Sequence, residues 1–384
     1  SVFFAIKKSI YTPKRIVDMN VGFFIPGLHS GGAERVIITL ANQISLLGHD
    51  VDLILATNVK NESYINEIAD SINIIRLEAK TTFKSFFGLS RLLRKKKYHS
   101  VISTLTSANV ILAITAKICL SKTRIVLREA NTTEQELEFG NLKLKTLNSI
   151  AKYTYSLADE VVAVSSNVYS SLLEEYRLPK EKLNLIYNPV DFEYVKKKAI
   201  AKTDLASLIN TQDKLVVAVG RLSEQKNFEV IIDAMPELLS RDSSYKLVIL
   251  GEGHLREKLE LQIARLKLVE NVFLLGYKEN VFPYLSRADF FVLSSLYEGL
   301  PSVLIQAMIF DCNIVVSDAV LSGPEIIDGE NYGAYFESNN PEDLAKTIME
   351  SKRDKNSASD KTTYLKNNFS FNSVIPKYMK VLDL

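Results

Sequence analysis

The sequence predicts an α/β protein made of two parallel-sheet units in tandem, and three observations lead there. The chain has 384 residues, more than one hydrophobic core usually covers, since domains tend to split at roughly 250 to 300 residues. Strand-like apolar runs alternate with stretches of helical period throughout, the pattern of parallel strands joined by crossover helices. At Leu215 that alternation starts afresh.

Residues 1–18 place Val2, Phe3 and Phe4 ahead of Lys7 and Lys8, which is not the basic-then-apolar order of a secretory signal. They read as an appendage before Met19. Asn20 to Ile25 reads as the first strand, Gly31 and Gly32 open a turn, and Val36, Ile37, Leu40, Ala41, Ile44 and Leu47 recur with helical period until Gly48. Val51 to Ala56, Val101 to Thr104, Arg124 to Leu127 and Val161 to Val164 continue the first sheet. Asn188-Pro189-Val190-Asp191, followed by Lys196, Lys197 and Lys198, reads as hinge and linker.

The second unit opens with Leu215 to Val219 and a helix packing through Phe228, Ile231, Ile232, Met235, Leu238 and Leu239. Lys246 to Leu250, Val272 to Leu275, Asp289 to Ser294 and Asn313 to Ser317 are its further strands, with helices near 255–267, 281–286 and 301–310. The expected units are 19–191 and 192–366, with a C-terminal helix over 367–384 returning to the first.

Hydrophobic residues make up 47% and charged residues 24%, the balance of an ordinary soluble globular protein rather than a disordered or fibrous one. Every apolar run is interrupted well before the roughly 20 positions a membrane span needs. Cys119 and Cys312 match no metal-ligand spacing, so a reducing cytoplasm is the natural setting. The formal net charge is +2 but uneven: residues up to 190 carry about 24 basic and 17 acidic side chains, the remainder about 23 and 28.

Ligands of open parallel sheets sit beyond the carboxyl ends of the strands, and the marked residues fall there. The loop Pro26-Gly27-Leu28-His29-Ser30-Gly31-Gly32 lets backbone N–H groups approach a phosphate at a helix start; a tight turn would use the same glycines. Arg221 ends a strand and Lys226 begins the next helix. Two cations so placed could hold a diphosphate and stabilise its growing charge as a sugar leaves, although solvated surface charges fit the same spacing. In Glu298-Gly299-Leu300-Pro301-Ser302-Val303 the chain turns, Pro301 suits a first helical position, and Glu298 then lies beside the free N–H groups near Ser302 and Val303. Gln306, eight residues on, projects towards the same ligand. A helix-cap carboxylate and an ordinary helix former are the plain alternative. The inferred ligand is a nucleotide-sugar. No His cluster offers a metal site.

These residues, with Gly31-Gly32-Ala33-Glu34-Arg35, Gly251-Glu252-Gly253, Gly276, Ala288-Asp289 and Gly323-Pro324-Glu325-Ile326-Ile327, make the chain from Met19 onward resemble a retaining glycosyltransferase of family four. The resemblance implies the GT-B fold, two Rossmann-like domains whose parallel sheets face across a cleft. It implies that Arg221 and Lys226 bind the diphosphate, that Glu298 orients donor-sugar hydroxyls, and that Gln306 stands where a second Glu usually contacts the ribose. Leu300, Pro301, Ser302 and Val303 belong to the same donor-binding turn. Backbone around Tyr277 would meet the base, and Gly31 and Gly32 the phosphate once the domains close. Such enzymes need no cofactor and no metal, the nucleotide-sugar, a UDP-sugar, being a co-substrate.

Two departures stand out. Gln306 keeps a hydrogen-bonding amide but loses a charge-assisted bond, a difference of about 1 to 2 kcal/mol. Many relatives have a His near Ala130; here Glu129 or Asn131 takes that place on the acceptor side, and His29 is the one histidine to test as an acceptor contact. Phe83, Phe86, Phe87, Leu89, Leu92 and Leu93, interleaved with Arg91, Arg94, Lys95, Lys96 and Lys97, form a basic amphipathic stretch suited to an anionic leaflet, or to a crossover helix with solvated lysines.

The expectation is a metal-independent, retaining glycosyltransferase that moves a hexose-type sugar onto a polyprenyl-linked or other growing surface glycan, such as O-antigen or capsule. It would work in the cytoplasm, peripheral at the inner face of the plasma membrane, with no nucleic-acid partner. The alternatives are a catalytically weakened binding subunit of the same fold and a soluble synthase acting on a phosphorylated small sugar.

Overall fold

A computed structural model describes residues 19–351 and 358–384, apart from residues 30, 60, 61, 63 and 131–141. The first unit holds strands β1 (Asn20–Ile25), β2 (Asp50–Thr57), β3 (Asn73–Ala79), β4 (Ser100–Thr104), β5 (Arg124–Glu129), β6 (Glu160–Ala163) and β7 (Leu183–Leu185). Helices α1 (Gly32–Leu46), α2 (Phe86–Lys95), α3 (Thr106–Ile118), α4 (Leu142–Thr154) and α5 (Ser166–Glu174) connect them. After the linker helix α6 (Phe192–Lys198) come β8 (Lys214–Val219), α7 (Phe228–Arg241), β9 (Tyr245–Leu250), α8 (Arg256–Arg265), β10 (Val272–Leu274), α9 (Phe282–Arg287) and β11 (Phe290–Leu293). They are followed by α10 (Ser302–Ala307), β12 (Asn313–Ser317), α11 (Gly323–Ile327), β13 (Ala334–Phe336) and α12 (Pro341–Glu350), then α13 (Ala358–Phe369) and α14 (Phe371–Leu382).

Both sheets are parallel. Their orders are β3-β2-β1-β4-β5-β6-β7 and β10-β9-β8-β11-β12-β13. In each, the chain runs outward from the middle and then jumps back, so the order reverses between β1 and β4 and between β8 and β11. Those reversals open a crevice at the strand carboxyl ends. The expected strands all form; β3, β7 and β13 are additional, and each is short or lies at or next to a sheet edge, where a weak apolar signal suffices.

The central strands are apolar on both faces, as helix-covered parallel strands must be. Phe24, Ile54, Val101 and Leu127 join one core, while Phe23, Leu53, Ile102 and Val126 join the core on the other face of the first sheet. The former continues through Val190, Phe192, Val195 and Leu205 to Val217, Phe291 and Leu304 of the second unit, so apolar contact runs from one unit into the other. A separate cluster lies between the second sheet and α7, α8 and α12.

The last helix returns to the first sheet. Val374, Ile375, Tyr378, Val381 and Leu382 of α14 are buried with α1 and β1, and Arg124 Nε donates to the Val381 carbonyl at 2.8 Å. At the crossing points Val190 N–H donates to the Phe369 carbonyl at 2.8 Å.

Candidate functional site

Because β8 and β11 are neighbours, the turns that follow them lie side by side. The turn after β8 is also pressed against the turn after β9. A Cβ at Gly251, where φ is +151°, would fall 1.8 Å from the Gly220 carbonyl oxygen, and one at Gly253 would fall 2.2 Å from that of Leu222. No side chain fits at either position, which is the physical content of Gly251-Glu252-Gly253. Leu222 N–H donates to the Glu252 carbonyl at 3.0 Å, and Arg221 is held at the surface of this double turn.

Lys226 ends a 3₁₀ turn, Glu224–Lys226, and Asn227 takes the left-handed conformation (φ 47°) that starts α7. Its ammonium is ion-paired with Glu298, the two side chains being only 17% and 12% exposed. Ser295 Oγ donates to the same Glu298 oxygen at 2.8 Å. Around this pair Ser294 Oγ donates to the Lys226 carbonyl at 2.7 Å, Gln225 Nε2 to that of Tyr297 at 3.0 Å, and Leu296 N–H to that of Gln225 at 2.8 Å. The strand-end turns thus form one hydrogen-bonded body in which a cation and a carboxylate are fixed together.

Pro301, expected as the first helical residue, is instead the N-cap of α10, in extended conformation. Glu298 sits in the turn before it, and Gln306 is the fifth residue of a six-residue helix. Leu300 is buried. Its carbonyl accepts from Asn188 Nδ2 at 3.0 Å, and the Ser302 hydroxyl accepts from the same nitrogen at 3.2 Å. Asn188 Oδ1 in turn accepts from Arg128 of β5. One hinge amide thus ties the turn of the second unit to a strand of the first.

On the opposite side Gly31 is extended and caps α1, which starts at Gly32. A Cβ on Gly31 would stand 2.2 Å from Glu34 Oε2, whereas one on Gly32 would meet nothing within 4 Å. A side chain at Gly31 would displace the Glu34 carboxylate, and one at Gly32 would displace nothing. Glu34 is buried. Burial pushes its carboxyl above the ordinary carboxylate range; its own backbone N–H and the positive charges of His29, Arg221 and Arg128 hold that rise back. Arg221 belongs to the second unit, so charges from both units act on this carboxyl. His29 is exposed.

Tyr277 is half exposed, and burial raises its hydroxyl against the charge of Arg35. Arg35 makes a bidentate pair with Glu67 at 2.9 and 3.1 Å and lies over the rings of Tyr64 and of Phe282 in α9, a second contact across the units. Glu129 is placed elsewhere: it is buried, accepting from the Tyr155 hydroxyl, from Thr106 Oγ1 at 3.5 Å and from Ala130 N–H at 3.0 Å. Asn131 lies outside the described residues. Arg221, Lys226, Glu298 and Pro301 to Val303 thus share one sheet end, Gly31 and Gly32 open α1 of the first unit, and Glu129 points into packing.

Sequence alone assigns no individual role to Glu34, Arg128, Asn188 or Ser295. For Glu34 a signal existed, since it lies three and four residues before buried Ile37 and Ile38 and so on the inward stripe of α1. Among the described residues no group of three or more His, Cys, Asp or Glu side chains could hold a metal ion.

Residues 30–194 match the family model Glycosyltransferase Family 4, and residues 201–368 match that of Glycosyl transferases group 1. The chain is 30% identical over 344 residues to the N-acetylgalactosamine-N,N'-diacetylbacillosaminyl-diphospho-undecaprenol 4-alpha-N-acetylgalactosaminyltransferase of Campylobacter jejuni, covering 86% of this chain and 90% of that one. A second C. jejuni protein, a GalNAc-alpha-(1->4)-GalNAc-alpha-(1->3)-diNAcBac-PP-undecaprenol alpha-1,4-N-acetyl-D-galactosaminyltransferase, is 29% identical over 327 residues, 82% of this chain and 83% of that one. In fold, Anabaena Alr3699/HepE, solved with UDP, superposes with a TM-score of 0.78 at 17% identity over 95% of this chain and 100% of its own. Sucrose-phosphate synthase from Thermosynechococcus elongatus does so with a TM-score of 0.79 at 14% identity, over 95% and 98%.

Proposed function

Given that the chain belongs to glycosyltransferase family 4 and has its GT-B fold, we propose that it transfers a sugar from a UDP-sugar to a polyprenyl-diphosphate-linked glycan, retaining the anomeric configuration and using no metal. One observation carries the donor side of this reading: a largely buried Lys226–Glu298 pair at the sheet reversal, with the Lys226 side chain lying over Gly220, the residue before Arg221. In the reaction the bond from the anomeric carbon to the diphosphate breaks, the leaving oxygen takes the electron pair, and the acceptor hydroxyl bonds to the same face and gives its proton to that oxygen. Arg221 and Lys226 neutralise the charge gathering on the diphosphate, a role worth most in a site shielded from water. Glu298, fixed by Lys226 and Ser295, accepts from donor-sugar hydroxyls, and the free N–H groups at the start of α10 lie alongside.

The acceptor assignment draws on the C. jejuni relatives, whose names state diphospho-undecaprenol-linked substrates. No helix among the described residues is long and apolar enough to cross a membrane. We assign α2 instead as a peripheral contact: Leu89 and Leu93 are buried against the sheet, while Phe83 (47%) and Phe87 (77%) are exposed beside exposed Arg91, Arg94 and Lys95.

The test is turnover of UDP-sugars by the purified protein. Arg221→Ala or Lys226→Ala should lower kcat by about 100-fold or more, the scale of losing one transition-state charge donor, and Gln306→Ala by less than about tenfold. Equal losses for all three would contradict these roles, and an inert wild-type protein with every UDP-sugar would point to the binding-subunit alternative.

A further inference from the structure

Between Glu78 and Glu129 the chain has no acidic residue and eleven lysines and arginines, and this stretch supplies α2, β4 and α3. Leu89 and Leu93 of α2 and Val110, Leu112 and Ala116 of α3 join one core on the same face of the first sheet. The outer surfaces of both helices therefore look away from the sheet on that side. On α2 the exposed residues Phe87, Arg91, Arg94 and Lys95 fall on a single helical stripe. The turn that ends α3 is held against the middle of this helix, Cys119 Sγ donating to the Ser90 carbonyl at 3.8 Å. Lys96 and Arg124 pair with Asp52 and Glu160, whereas among the described residues no carboxylate pairs with Arg91, Arg94, Lys95, Lys117 or Lys122.

Leu120 completes this surface. It is the first residue beyond the cap of α3, with φ +48°. Its N–H donates to the Lys117 carbonyl at 3.2 Å, and that of Ser121 to the Ala116 carbonyl at 3.1 Å. A left-handed residue closes the helix in this way, and glycine suits the position because a Cβ there is crowded. The matching turns after α1, α8 and α14 carry Gly48, Lys267 and Asp383, a glycine or a side chain that water solvates. Leu120 instead puts an isobutyl group on that backbone and leaves it 84% exposed, with Ile118 57% exposed two residues before it. Exposed Lys117 and Lys122 flank them. Neither burial within the chain nor backbone preference accounts for a leucine here.

We propose that the turn at 118–120 is a second membrane contact, in which Leu120 enters the acyl boundary of an anionic leaflet while Lys117 and Lys122 meet the headgroups. The inference rests on the reading of α2 as a peripheral contact and extends it. A single helix stripe leaves the protein free to roll about the helix axis, whereas two contacts on one flank fix the face that the first unit presents to the bilayer. Apolar insertion and attraction to acidic headgroups act together in such contacts, and this stretch supplies both with no carboxylate of its own to oppose them. A nucleic acid would answer the same charge, but Leu120 and Ile118 offer its bases no stacking plane.

The experiment uses the absence of tryptophan from the chain. Leu120→Trp places a single indole at the turn, and its fluorescence is followed as phosphatidylglycerol vesicles are added to the full chain. Emission should move to shorter wavelength, and lipids brominated on the acyl chain should quench it; phosphatidylcholine vesicles should do neither. In parallel, Leu120→Gly should hold or raise the thermal unfolding midpoint, since glycine suits the positive φ, and should lower co-sedimentation with phosphatidylglycerol vesicles by about tenfold. Vesicle binding by Leu120→Trp without shift or quenching, or undiminished binding by Leu120→Gly, overturns the proposal and leaves the α2 contact standing. Failure of wild type to bind these vesicles overturns both, as does binding to duplex DNA in its place. Should Leu120→Trp fail to fold, the Leu120→Gly comparison decides alone.

Discussion

Asn188 shows how much can depend on one amide. Its oxygen accepts from Arg128 and its nitrogen serves the Leu300 carbonyl and the Ser302 hydroxyl, so both halves of the side chain are used and both are buried. Arg128 is 0% exposed and owes its tolerance of that position to being hydrogen-bonded on Nε, Nη1 and Nη2. Asn188→Leu keeps the branched shape but strands one buried guanidinium nitrogen and the Leu300 carbonyl. The expected loss is about 2 to 4 kcal/mol in urea unfolding, whereas Asn188→Asp, which keeps the acceptor towards Arg128, should lose less. The pair Lys226–Glu298 obeys the same logic: truncating either partner leaves an uncompensated, largely buried charge.

Among the elements, the double turn formed by the ends of β8 and β9 sets the position of Arg221. Gly253→Ala would force a methyl to within 2.2 Å of the Leu222 carbonyl, so the turns must part. That variant should lose roughly 2 kcal/mol or more of stability together with UDP binding, as read by thermal unfolding with and without UDP; an unchanged UDP-induced shift would separate Arg221 from the donor site. Helix α2 works differently, since its inner face is packed and its outer face carries function if it carries any. Phe87→Ser combined with Arg94→Ser touches only exposed positions. It should weaken co-sedimentation with phosphatidylglycerol vesicles more than about tenfold, on the scale of 1 kcal/mol per basic residue plus the lost apolar burial, and leave folding intact. Unaltered vesicle binding would remove the membrane assignment.

For the molecule as a whole, the two units are joined by more than the linker. Glu325 of α11 accepts from Ser166 N–H at 2.8 and 3.0 Å and from Ser166 Oγ at 2.9 Å, so a carboxylate of the second unit caps helix α5 of the first. Arg35 of α1 reaches Phe282 of α9, and α14 carries the chain end back onto the first sheet. Any change in the angle between the units must work against these contacts, a condition for a cleft whose closure excludes water from the donor. Glu325→Ala should cost about 0.5 to 2 kcal/mol as a lost helix cap. It should also broaden the distribution of inter-unit distances measured between spin labels on α8 and α3; an unaltered distribution would show that the cap does not restrain the units.

The order of apolar runs along the chain was enough to determine two parallel sheets and to put Arg221, Lys226 and Glu298 at strand ends, because period and turn chemistry are local properties. The strands β3, β7 and β13 escaped because each is short or lies at or next to a sheet edge, where neighbours rather than apolar content define pairing. Which strand ends become adjacent is decided only when crossovers close the sheet, and that adjacency is what joins Lys226 to Glu298 across 72 positions of sequence. Tertiary structure alone turned Glu129 into packing and made Asn188 a bridge. It alone buried Glu34 and Arg128 too, since burial is a property of the assembled chain and not of any stretch of it.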